Sequence, residues 1–75
     1  SLVASASAKM ADVFQQLGVP APQDLPANIN VVQWAEKQLG RELGKNDKIK
    51  AGGLWMDPRK FRRHKLMEVL VSKAD

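Results

Sequence analysis

Met56-Asp57-Pro58-Arg59-Lys60-Phe61-Arg62-Arg63-His64-Lys65-Leu66-Met67-Glu68-Val69-Leu70-Val71-Ser72 is the stretch whose reading decides the fold. Asp57 before Pro58 has the form of an N-cap followed by a first helical position, where the missing proline N–H costs nothing. Met56 is then placed to meet Phe61 as a hydrophobic staple. Leu66, Met67, Leu70, Val71 and Ala74 follow at helical spacing, so the pattern predicts a helix over 58–72 whose N-terminal half is charged on all sides.

Outward from this stretch, Gly52-Gly53 breaks the chain. Residues 44–53 form a polar, basic connection in which Asn46 or Asp47 caps a single turn around Ile49, unless a short hairpin forms between residues 45 and 56. Before it, Asn28 or Asn30 serves as N-cap for a helix over 31–43, with Val31, Val32, Ala35, Leu39 and Leu43 on one face. Gly40 inside that helix costs about 1 kcal/mol relative to alanine, and marks either a close crossing or an early end. At the start of the chain, Val3, Ala6, Met10, Val13, Phe14 and Leu17 form a stripe that predicts a helix over 3–17, closed by Gly18 and followed by a connection containing Pro20, Pro22 and Pro26. The expectation is a single all-α domain over 1–75. It has three to four helices, a helix-turn-helix-like order, a Pro-rich connection after the first helix and a basic Gly-containing loop before the last.

A chain of 75 residues fits one small domain. Its serine start suggests an excised domain, a processed product or a tag remnant, and it has no cysteine. No apolar run approaches the roughly 18 residues of a membrane span. An intracellular setting, cytoplasm or nucleus, is expected.

Charge is unevenly placed. Residues 37–65 hold ten cations against three acids, while residues 1–36 hold Lys9 against Asp12, Asp24 and Glu36, and the last ten hold Lys73 against Glu68 and Asp75. Five of the cations, Arg59, Lys60, Arg62, Arg63 and Lys65, would crowd the start of the last helix. There the helix dipole disfavours each by roughly 0.3 to 1 kcal/mol. A bound polyanion relieves that cost, and arginine forks suit phosphate. The candidate nucleic-acid-binding residues are therefore Lys48, Lys50, Arg59, Lys60, Arg62, Arg63 and Lys65, with DNA favoured over RNA. The competing reading of the cluster is a solvated face that maintains solubility. Trp34, Trp55 and Phe61 are candidates to stack on bases, against the commoner role of large aromatics as core.

The rival function is a protein-interaction module, in which the same basic helix docks an acidic protein or the apolar stripes complete a homodimer. A membrane-surface helix fits less well, because the charges surround the helix rather than flank one apolar face. Catalysis is not expected. His64 is the only histidine, no paired acids or metal-ligand spacing occur, and no glycine-rich phosphate loop precedes a helix, so no enzyme activity and no cofactor or metal are expected.

Overall fold

The computed structural model describes residues 1–74; Asp75 lies outside the described residues. It contains strand β1 (Leu2–Ser5), helices α1 (Met10–Leu17) and α2 (Val31–Leu39), and strands β2 (Ile49–Ala51), β3 (Leu54–Arg62) and β4 (Lys65–Lys73). The strands form one antiparallel sheet in the order β1-β4-β3-β2. The fold is α+β, and the expectation of an all-α, helix-turn-helix-like domain is overturned.

The correction is sharpest at 58–72, where two strands replace the expected helix. Side chains alternate across a strand with a period of two. Leu54, Met56 and Pro58 on β3 and Val69 and Val71 on β4 are buried, while Trp55, Asp57, Leu70 and Ser72 turn to the other face. Asp57 caps nothing and pairs with Leu70. Pro58 lies beyond the end of β2, whose pairing stops at Ile49 and Met56, so its missing N–H falls on an unpaired side of β3. A register shift follows between Pro58 and Lys60, where Arg59 is the extra residue. Spreading the five cations along a hairpin also removes the dipole cost that a helix would impose on them.

The expected helix over 3–17 begins only at Met10. Leu2–Ser5 pairs instead with Glu68–Val71, burying Ala4 and exposing Val3. Gly18 caps α1 in the left-handed region, φ +68°, as its position implied. The expected helix over 31–43 stops at Leu39, with Gly40 at φ +80° as its cap, so Gly40 marks an early end. Leu43 still reaches the core from the following loop. Asn30 is the N-cap, accepting from the Gln33 N–H at 2.8 Å while the Gln33 side chain accepts from the Asn30 N–H at 3.0 Å. The hairpin between residues 45 and 56 is present as β2 and β3, joined through Gly52 and Gly53 at φ +60° and +82°.

Both helices lie on one face of the sheet. The core between the layers contains Met10, Phe14, Val31, Trp34, Leu54, Met56, Val69 and Val71. Phe14 and Trp34 meet edge to face, with ring centroids 5.7 Å apart and planes at 88°. Trp34 is thus core, not a stacking platform.

Candidate functional site

With the helices on one side, the other face of the sheet is uncovered. Its residues fall in rows set by strand register. One row runs Lys50, Trp55, Ser72, and the next runs Asp57, Leu70, Val3. A third runs Lys60, Glu68, Ser5. Trp55 and Leu70 are half-buried and Val3 is 58% exposed. The Lys48 and Lys50 ammonium groups lie 5.0 and 5.5 Å from the centre of the Trp55 ring, within cation–π range.

The seven sequence-predicted residues divide into two groups. Lys48 and Lys50 bracket Trp55. Arg59, Lys60 and Arg62 lie on β3, Arg63 in the turn and Lys65 at the start of β4, all exposed. Phe61 and Leu66 turn toward the core, which sends Arg62 and Lys65 outward beside Lys60. Phe61 is half-buried and does not staple a helix.

Two residues of this hairpin hold an unfavourable backbone. Arg63 and His64 have φ +52° and +66°, a pair of left-handed residues that type I′ turns normally give to Asn and Gly. Each costs about 1–2 kcal/mol relative to glycine-like freedom. The turn borders a cleft of about 460 Å³ together with Ser5, Ser7, Asn30 and Glu36. Sequence reasoning did not find this cleft, since its walls come from four separate segments. The start of α2 beside it has no free donors to offer an anion. The Val31 N–H donates to Ala8, that of Val32 to Ala6, that of Gln33 to the Asn30 side chain and that of Trp34 to the Asn30 carbonyl.

One ion pair orders the loop before β2. Arg41 grips Asp47 with both terminal nitrogens, at 2.9 and 2.7 Å, and the Gly44 N–H donates to the same carboxylate at 2.6 Å. The hydrogen bonds from Arg41, then that from Gly44, and the positive charge lower the Asp47 carboxyl from its ordinary value to about 2. The same contact raises the Arg41 guanidinium. Asp47 therefore organises a loop and does not cap a helical turn.

The groups with chemical potential stand singly. Ser5 and Ser7 hydroxyls bond to each other at 3.0 Å. His64 is exposed in its turn, and among the described residues no serine or carboxylate hydrogen-bonds to it. Among the described residues no three His, Asp or Glu side chains are grouped to hold a metal ion, and no helix is long and apolar enough to cross a membrane.

An antiparallel four-stranded sheet with two helices on one face also occurs among solved structures. The fold resembles that of a transporter-associated region. That structure, from Neisseria meningitidis MC58, is described as the region associated with a proposed Mg2+ and Co2+ transporter (CorC). The two superpose with a TM-score of 0.75 at 14% sequence identity, over 96% of this chain and 86% of that one. At that identity the likeness shows the fold. No protein-family model matches the chain, and no curated protein is similar to it in sequence. The DNA-binding helical module is overturned with the helix that was to carry it. Among the described residues no basic helix exists to enter a groove, to hold phosphates at its start or to dock an acidic protein.

Proposed function

We propose that this chain is a non-catalytic accessory domain carried by an ion-transport protein, acting on transport instead of forming its path. The observation that carries this reading is the likeness to a transporter-associated region across nearly the whole of both chains. The surface supports it. Contact features are gathered on one open sheet face, whereas among the described residues Ser5, Ser7 and His64 have none of the base or orienting partners that nucleophilic or acid–base chemistry needs.

The test is cation uptake, with Mg2+ and Co2+ as the probes, by cells carrying the parent protein with or without residues 1–75. Transport that persists with an altered rate or cation dependence is expected. Unchanged uptake at every cation concentration would overturn the reading, and so would complete loss of transport by a parent shown to be folded and membrane-inserted.

A further inference from the structure

We propose that the uncovered face of the sheet lies against an anionic phospholipid surface. Trp55, Leu70 and Val3 form a diagonal apolar stripe across β3, β4 and β1. Cations flank it on both sides. Lys48 and Lys50 stand over Trp55 at one edge, and Lys60, Arg62 and Lys65 project toward the hairpin tip. Asp57 and Glu68 are the acids on this face, and Glu68 stands opposite Lys60, so the face remains positive. A tryptophan with two lysine ammonium groups near its ring is a combination that the headgroup region accommodates, because the ring suits the acyl boundary and the cations suit the phosphates.

The mixture of groups selects this occupant. A nucleic-acid backbone would satisfy the cations and leave Val3 and Leu70 in water. A headgroup layer covers both while its phosphates meet the cations. The reason for discounting membrane contact in a helix, charge on every side, is absent here, because Phe61 and Leu66 hold the other side of the hairpin to the core. The closeness of a membrane rests on the accessory-domain reading, whereas the binding chemistry does not.

The experiment is co-sedimentation of the 75-residue chain with vesicles of phosphatidylcholine alone, or of equal parts phosphatidylcholine and phosphatidylglycerol, with tryptophan emission recorded. Expected are binding to the anionic vesicles only, loss of binding at high salt, and a blue shift that Trp55→Phe abolishes while Trp34 remains. Lys48→Gln with Lys50→Gln, both exposed and outside the core, should lower partition about tenfold or more. Equal binding to both vesicle types overturns the proposal, as does no binding to either or binding without a change at Trp55. Tighter binding to duplex DNA or to poly-glutamate than to anionic vesicles at equal charge overturns it in favour of those partners. Because vesicle binding is read on the isolated chain, its failure leaves the transport test untouched, and the reverse also holds.

Discussion

Gly52 is wedged beneath the ring of Trp34: a Cβ at this turn position would stand 3.2 Å from two Trp34 ring carbons and 3.3 Å from the Phe14 ring. The residue also sits at φ +60°, where an L side chain is strained whatever the space. Gly52→Ala should therefore destabilise the domain by about 2 kcal/mol or more, from the left-handed backbone cost plus displacement of the aromatic pair. Chemical denaturation measures it. Wild-type stability in the variant would show that the β2–β3 turn relaxes freely.

The β3–β4 turn predicts the opposite sign. Arg63→Asn with His64→Gly places at φ +52° and +66° the residues that a two-residue hairpin turn favours. The expected gain is about 1–2 kcal/mol, seen as a raised melting temperature. A lowered melting temperature would mean that the Arg63 or His64 side chain supports the fold more than its backbone strains it.

Asp47 gives a pH signature. Its folded carboxyl is lowered from 3.8 to about 2, so its contribution to folding is present above the unfolded value and is lost as pH falls through that window toward 2. The carboxyl resonance of Asp47 should titrate near that low value in the native chain. Arg41→Ala removes the two guanidinium hydrogen bonds and should move the titration upward toward the ordinary range. An unshifted midpoint in that variant would assign the effect to the Gly44 N–H instead.

The α2 capping box supplies a local test. Asn30→Ala leaves the Gln33 N–H without its 2.8 Å acceptor and should cost about 1 kcal/mol. Asn30→Asp, which keeps an acceptor at the N-cap, should restore most of it. The readout is the denaturation midpoint of each variant against the parent. Equal loss in both variants would point to the cleft beside Asn30 rather than to the cap.

Gly18 announces a helix end, and Asn30 is one of two candidate caps, through requirements that act within a few residues, and the structure uses both. Gly40 leaves a close crossing and an early end open, and the helix expected to run to Leu43 ends at Gly40. Gly52-Gly53 carries a hairpin signal for the same reason. In the last third the local signals point to a helix that the structure does not form. Asp57-Pro58 fits a helix start, and Leu66, Met67, Leu70 and Val71 fit a helical stripe. The deciding facts are long-range: β4 pairs with β1 from the other end of the chain, and β2 ends before Pro58, leaving room for a proline in a strand. Arg63-His64 lacks the glycine that would have marked its turn. Of the candidate site, the cations and Trp55 were visible, but Val3 and Leu70 joined them only through strand register.

Among the described residues the stretch Asp57–Arg62 has a neighbouring strand on one side only. Its other side is a ladder of backbone groups that an extended segment from another molecule could extend, the route by which small sheet proteins coagulate in a crowded cell. An incoming strand there meets a proline with no proton to donate, a kink at Arg59 that throws the ladder out of step, and the repulsion of Arg59, Lys60 and Arg62. The same residues that make the hairpin cationic thus close the sheet to unwanted growth.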